Sequence, residues 1–229
     1  MLQPHEKRTN GPRPAPGWRN SAGASDAVAV GSTLAACYLS AVILSRRTIL
    51  AAFSILPLPV SAMTYVDLTY AGGVLSWPGG SARAVCGTGG VRADKREGDH
   101  ASPAGTFPLL TVLYRPDRVP APQTALPLAA LKPDDGWVDA PADPNYNRRV
   151  TLPYAASHEE LWRADGLYDV IVAIGYNTDP VVPGAGSAIF LHVAAPDYSG
   201  TEGCIAIARD ALISLLSLLG PGSKITIGK

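Results

Sequence analysis

Short apolar segments separated by glycine and proline constrain the fold of this chain more than any other feature. The segments are four to nine residues long and lie in the C-terminal body: TYVDLTY, VLSW, RAVC, FPLLTVLYR, YDVIVAIGY, SAIFLHV and KITI. They contain many β-branched and aromatic residues, and the whole chain has 23 Gly and 21 Pro. Runs of this kind with turn residues between them are typical of β-strands. The sequence therefore predicts a mainly β fold.

Only two segments of the body favour helices. A short helix is predicted around Ser157–Arg163, and a longer one is predicted from Arg209 to Leu219, before the Gly220-Pro221-Gly222 stop. Many of the prolines lie between residues 115 and 153. They predict long connections, which often carry binding loops.

The N-terminal 62 residues differ from the body. Residues 1–26 are rich in Pro, Gly, Ser, Asn and Arg, a composition that favours disorder. Residues 27–44 carry no charge and are about long enough to cross a bilayer as a helix. Two arginines, an apolar stretch and Val60-Ser61-Ala62 follow, in the order of an export signal. We predict a tail with a signal-like segment over residues 1–62 and one folded domain over residues 63–229.

The segment Ser45-Arg46-Arg47 resembles the core of a twin-arginine signal. It predicts export to the periplasm or the cell envelope. Two alternatives remain open at this stage. In the first, residues 27–62 associate with the membrane and act as an anchor. In the second, translation begins near Met63, and the domain stays in the cytoplasm.

The distribution of charge argues against a nucleic-acid partner. The chain has 19 Lys and Arg and 19 Asp and Glu. Residues 1–62 hold six basic and two acidic residues, which leaves 13 basic and 17 acidic residues for the body. Binding to phosphates needs a concentrated basic face, and the body offers none in its sequence.

His192 and Cys204 carry the strongest chemical signal. The histidine lies in an apolar run, and Gly203-Cys204 follows twelve residues later in a turn. An imidazole can take the proton of a thiol, and the thiolate attacks carbonyls. Gly203 allows close approach of a substrate, so that the Cys204 N–H can stabilise an oxyanion. If residues 208–219 form a helix, Cys204 lies just before its positive end, which would lower the pKa of the thiol.

The cysteines leave a second interpretation open. Cys37 lies in the N-terminal segment, which leaves Cys86 and Cys204 in the body. In an oxidising compartment these two could form a disulfide, or one could be a buried structural thiol and the other reactive. A disulfide would favour a non-catalytic binding domain of the cell envelope.

Three motifs, in this order, resemble the L,D-transpeptidase catalytic domain of the YkuD type. Ala101–Phe107 (ASPAGTF) is similar to the upstream T-P-x-G-x-[F/Y] motif, His192 lies in a similar strand, and Thr201–Ile205 (TEGCI) is similar to [S/T]-x-G-C-[V/I]. The similarity spans roughly Tyr65 to Lys229. It implies a β-sandwich with one or two short helices, without a metal or an organic cofactor.

The resemblance also implies roles for single residues. Cys204 matches the acylated nucleophile and His192 its base, while Val193 supplies the backbone carbonyl that orients the imidazole. Gly203 and Cys204 match the oxyanion-stabilising backbone, and Thr201 matches the Ser or Thr of the motif. The substrates implied are the tetrapeptide stems of peptidoglycan. The enzyme would take the acyl group of meso-diaminopimelate, release D-alanine, and pass the acyl group to an amine or, as an L,D-carboxypeptidase, to water.

Two positions depart from the family pattern. Glu202 stands where His, Asn or Arg is common, and Ala206 stands where Arg is common. Both departures remove positive charge beside the nucleophile, and Arg209 is a candidate to supply it.

Three further residues are candidates for substrate binding. Arg115 and Arg118 could pair with the carboxylates of a stem peptide, or form local ion pairs in a solvated loop. Tyr176 could line the cleft or lie in a turn.

Overall fold

Strands dominate residues 65–229, the part of the chain that the computed structural model describes. In chain order the elements are β1 (Leu68–Ala71), β2 (Val74–Trp77), β3 (Gly80–Val85), β4 (Val91–Arg92), β5 (Ser102–Pro103), β6 (Gly105–Tyr114), β7 (Leu128–Ala130), β8 (Asp135–Val138), β9 (Arg149–Thr151), β10 (His158–Glu160), β11 (Val170–Ile174), β12 (Phe190–Val193), β13 (Ile205–Ile207), α1 (Arg209–Leu216) and β14 (Lys224–Ile227). The predicted mainly β fold is confirmed. The predictions for residues 1–62 lie outside the described residues.

The main sheet has nine strands and its hydrogen bonding closes on itself. Its order is β11-β12-β13-β3-β2-β1-β14-β6-β7, and β11 also pairs with β6. β6 makes this closure because its first half pairs with β14 and its second half pairs with β11. The two sheets that a sandwich would have are thus continuous through β6.

β11 lies at the centre of this arrangement, and both of its faces are buried. Val170, Val172 and Ile174 belong to the main core, whereas Ile171 and Ala173 belong to a second apolar cluster on the other face. Because neighbouring residues of a strand point to opposite faces, a strand covered on both sides is apolar throughout. This requirement explains the unbroken VIVAI sequence.

A small sheet covers the second apolar cluster. It contains three strands in the order β10-β8-β9. Leu131 and Leu161 come from its flanks and are almost fully buried, and Trp137 of β8 packs edge-on against Phe190 of β12 at 5.1 Å between ring centroids. The small sheet therefore lies beside the face of β12 that carries His192.

The helix predictions are corrected in two places. The segment predicted as a helix around Ser157–Arg163 instead contains β10, whose residues pair with β8. The good helix formers in this segment are overridden by this pairing and by the burial of Leu161. α1 ends at Leu216, three residues earlier than predicted, and Leu219 bonds back to Leu216 in a tighter turn. Within residues 65–229 no helix has the length and apolar character needed to cross a membrane.

Candidate active site

The parallel pairing of β12 and β13 brings His192 and Cys204 to the same cleft. His192 lies opposite Ala206 in this pairing, and Leu191 lies opposite Ile205. Leu191 and Ile205 point into the main core, while Phe190 and Cys204 belong to the cluster on the other face. His192 shares the face of Phe190 because the two residues are two positions apart on one strand.

The thiol of Cys204 is buried and held by backbone groups. It donates to the carbonyl oxygen of Ala188 at 3.2 Å and accepts from the amide N–H of Phe190 at 3.3 Å. Burial raises the pKa of the Cys204 thiol well above its ordinary value, and the charge of Glu159 adds to this effect. The resting group is therefore a protonated thiol.

The imidazole of His192 is buried and neutral. Its Nδ1–H donates to the carbonyl oxygen of Val193 at 2.9 Å, which leaves Nε2 as the acceptor. Burial lowers the pKa of the His192 imidazole from 6.5 to about 4. The ring is therefore neutral at rest, and its Nε2 carries no proton.

The turn before Cys204 is fixed by two hydroxyl groups. The Thr201 hydroxyl donates to the Cys204 carbonyl at 2.6 Å and accepts from the Gly203 N–H at 3.2 Å. The Ser102 hydroxyl donates to the Gly203 carbonyl at 2.7 Å. Gly203 has a φ of +137°, and a Cβ there would lie 2.9 Å from the Ala101 carbonyl oxygen. Only glycine fits this position without strain.

The predicted effect of the helix on the thiol is wrong. β13 and Ala208 separate Cys204 from α1, which begins at Arg209. Because the favourable effect of a helix falls off within its first turn, α1 does not lower the pKa of this thiol, which burial raises.

The cleft itself has a volume of about 430 Å³ and carries an excess of acidic groups. Cys204 and His192 line it together with Thr201, Tyr168 and Ala188. Its lining contains four acidic residues and one arginine, namely Glu97, Asp139, Glu159, Glu202 and Arg163.

The two departures from the family pattern have different surroundings. The Glu202 carboxylate contacts Nδ1 of His100 across the mouth of the cleft. Ala206 is buried opposite His192 and presents no charge. The basic group of the cleft lining is instead Arg163, whose guanidinium lies 5.1 Å from the ring centroid of Tyr168.

The candidate substrate-binding arginines lie outside the lining of the cleft. Arg115 is buried, pairs with Asp117, and stacks over the ring of Trp162 at 3.7 Å. Arg118 and Arg209 both pair with one buried carboxylate, Asp169, at 3.0 and 3.3 Å. The structure therefore gathers these cations around Asp117 and Asp169 and does not bring them to Cys204.

Tyr176 also lies outside the lining of the cleft. Its hydroxyl donates to the carbonyl of Ala185 at 2.6 Å, and its ring packs edge-on against Phe107 at 5.3 Å.

Asn147 is a supporting residue that the sequence did not reveal. It is buried with a φ of +57°, and its Oδ1 accepts from the Trp137 indole at 2.9 Å and from the Ala188 N–H at 3.1 Å. Its Nδ2 donates to the carbonyls of Tyr176 and Asn177. Asn147 thus fixes Ala188, whose carbonyl oxygen accepts the hydrogen bond from the Cys204 thiol. It follows a proline-rich stretch without a local pattern that points to this role.

Ser102, Tyr168 and Glu159 were also not singled out as site residues. Ser102 falls inside the ASPAGTF motif that carried the family resemblance, which is the one signal that could have found it. Tyr168 lies two residues before the start of β11, and Glu159 lies in the segment that was expected to be helical.

The cysteines of the described chain do not form a disulfide. Cys86 and Cys204 are both free. The Cys86 thiol is directed at the Gly87 carbonyl and packs against the main core, whereas Cys204 belongs to the second cluster. Among residues 65–229, no group of three or more His, Cys, Asp or Glu side chains is arranged to hold a metal ion.

A buried thiol and a neutral imidazole in one cleft of a mainly β domain define a cysteine–histidine site. Comparison with known families agrees with this class. The family model for the YkuD L,D-transpeptidase catalytic domain matches residues 61–227. The chain belongs to this family, whose members are cysteine-dependent L,D-transpeptidases that act on peptidoglycan. No curated protein matches the chain.

Proposed function

We propose that this protein is a peptidoglycan L,D-transpeptidase in which Cys204 is the nucleophile and His192 the general base. The observation that carries the proposal is the pairing of one buried thiol with one imidazole in the same cleft, with Nδ1 of that imidazole committed to the Val193 carbonyl. This bond leaves Nε2 to receive the proton. Family membership names the substrate class, the peptide stems of peptidoglycan.

The first half of the reaction transfers the acyl group of the stem to the enzyme. The thiol turns from the Ala188 carbonyl toward His192, Nε2 takes its proton, and sulfur attacks the carbonyl of meso-diaminopimelate. The new C–S bond gives a tetrahedral oxyanion, which the Cys204 N–H stabilises. The C–N bond then breaks, and the imidazolium returns the proton to the nitrogen of the leaving D-alanine.

The second half decides the class of enzyme. An amine of a second stem attacks the thioester, and His192 takes a proton from that amine. The C–S bond breaks as the new amide forms, and the imidazolium returns the proton to the sulfur. If water takes the place of the amine, the product is a shortened stem and the protein is an L,D-carboxypeptidase. The acidic lining of the cleft attracts an acceptor amine in its ammonium form, which loses a proton to solvent before it attacks. This lining is the observation that favours transpeptidation.

Product analysis tests this proposal. Full-length protein is incubated with purified disaccharide-tetrapeptide, and the products are identified by mass spectrometry. We expect free D-alanine and a cross-linked dimer from the wild type and from Cys86→Ser, and neither from Cys204→Ser, because a serine hydroxyl is far less ionised than a thiol. Unchanged turnover by Cys204→Ser would refute the assignment of the nucleophile.

We further propose that the protein is exported to the periplasm or the cell envelope. Support comes from the order of the N-terminal segment, in which Arg46 and Arg47 precede an apolar run and Val60-Ser61-Ala62. Peptidoglycan lies in the same compartment.

A further inference from the structure

A tyrosine and a glutamate adjoin the Cys204–His192 pair and take no part in the mechanism above. The Tyr168 hydroxyl donates a short hydrogen bond to the carboxylate of Glu159. Both side chains line the cleft that contains Cys204 and His192. They come from separate parts of the fold, since Tyr168 precedes β11 and Glu159 lies on β10 of the small sheet.

Tyr168 touches the strand that carries the imidazole at two places. Its ring packs edge-on against His192 at 5.2 Å and against Phe190 at 5.9 Å between centroids. The Phe190 amide in turn donates to the sulfur of Cys204. The hydroxyl of Tyr168 therefore fixes Glu159 at a defined place in the cleft that contains the thiol, and Tyr168 itself is 5% exposed.

Glu159 is surrounded by groups that act on its charge in opposite directions. Burial raises the pKa of the Glu159 carboxyl, and the charges of Asp139 and Glu202 act in the same direction. The hydrogen bond from Tyr168 and the charge of Arg163 oppose them.

The charge of Glu159 acts on the pKa of the Cys204 thiol. After burial, the charge of Glu159 is the largest contribution that raises the pKa of the thiol, while Lys95 and the Tyr168 hydroxyl act to lower it. A carboxylate that lines the same cleft as the sulfur disfavours the thiolate, because like charges repel.

We propose that the Glu159 carboxylate, held in place by the Tyr168 hydroxyl, keeps the Cys204 sulfur protonated and unreactive while the cleft is empty. Loss of that charge, by protonation or by substitution, releases the thiol. The inference rests on the proposed role of Cys204 as nucleophile, and it makes Glu159 and Tyr168 positioning residues of the same site.

The rate of alkylation by iodoacetamide tests this inference without the transpeptidation reaction. The full chain is treated between pH 5 and pH 9, and peptide mass mapping separates Cys204 from Cys37 and Cys86. E159Q keeps an acceptor for the Tyr168 hydroxyl and removes the charge. E160Q is the matched control, because Glu160 is the next residue of β10 and is exposed.

We expect E159Q to alkylate faster than the wild type at pH 8, by roughly threefold for each unit by which the pKa of the thiol falls. The ratio of the two rates should approach one in acid, where Glu159 of the wild type is itself protonated. E160Q should follow the wild type throughout. In the E159Q background, the further change Y168F should slow alkylation, since it removes a group that favours the thiolate.

Equal rates for E159Q and the wild type at every pH would overturn the inference, as would the same acceleration in E160Q. Circular dichroism verifies the fold of each variant, and E159A provides a second charge-removing variant if E159Q is unfolded. If E159Q shows no acceleration but Cys204→Ser abolishes transpeptidation, the role of Glu159 fails and the proposed function stands. If E159Q accelerates alkylation while Cys204→Ser keeps its activity, the proposed function fails instead.

Discussion

Replacement of Ser102 by alanine is expected to weaken both the fold and the turn that presents Cys204. Ser102 is fully buried, and its hydroxyl forms hydrogen bonds with the backbone of two different segments. It accepts from the Gly87 N–H at 3.0 Å and donates to the Gly203 carbonyl at 2.7 Å. The alanine variant keeps the backbone and leaves these two buried groups without their partner.

The magnitude follows from the number of groups left unpaired. A buried donor or acceptor that loses its partner costs about 1–3 kcal/mol, and water cannot easily reach this site. The Gly203 N–H also donates to the Thr201 hydroxyl, so the turn is not released entirely. We therefore expect Ser102→Ala to lower the free energy of unfolding by about 2–3 kcal/mol, and to reduce the rate of Cys204 acylation more than it raises KM.

Urea unfolding followed by circular dichroism measures the loss of stability. Ser76→Ala is the matched control, because Ser76 is exposed and its hydroxyl makes a single bond of 3.2 Å to the Thr69 carbonyl. The control should change stability by less than about 0.5 kcal/mol. A Ser102→Ala variant as stable as Ser76→Ala would show that the Ser102 hydroxyl does not hold the turn.

Three further predictions concern the imidazole, the arginine cluster and export. The pKa of His192 is lowered to about 4, so between pH 6.5 and pH 4 the unfolded chain binds a proton that the folded chain does not. From pH 7.5 to pH 5 the free energy of unfolding should therefore fall by about 2 kcal/mol more for the wild type than for His192→Gln. An equal fall for both proteins in urea unfolding would contradict this. Asp169→Asn should lower the free energy of unfolding by about 2 kcal/mol, because two arginines lose their shared carboxylate; an unchanged urea midpoint would contradict it. Replacement of Arg46 and Arg47 by lysine should block export by the twin-arginine route, as measured by cell fractionation, whereas normal export would point to the general secretory route.

The apolar strands could be predicted because their residues favour a strand locally and are also the residues that the core packing requires. The VLSW and KITI segments form strands at the predicted residues, Val74–Trp77 and Lys224–Ile227. YDVIVAIGY contains β11, whose two buried faces require apolar residues throughout. In these segments local preference and tertiary packing agree.

The strands that were missed depend on their partners. β8 has the sequence DGWV, which contains weak strand formers, and it is held between β9 and β10. β10 lies in the segment that was expected to be helical, and its pairing with β8 overrides the helix preference of its two Glu residues. A single sequence does not show which distant segment will supply such a partner.

The same limit applies to the site. Cys204 and His192 were accessible from the sequence because they lie in motifs of fixed order. Tyr168, Glu159 and Asn147 come from other segments, and only the packing of the small sheet against β12 brings them near the thiol.

The central claim is that Cys204 is acylated by the peptide stem, and intact-protein mass spectrometry tests it most directly. Full-length protein is mixed with disaccharide-tetrapeptide and quenched in acid at short times. We predict an adduct whose mass equals that of the substrate minus D-alanine, located on Cys204 by peptide mapping and absent from Cys204→Ser. An adduct on another residue, or turnover by Cys204→Ser, would contradict the account.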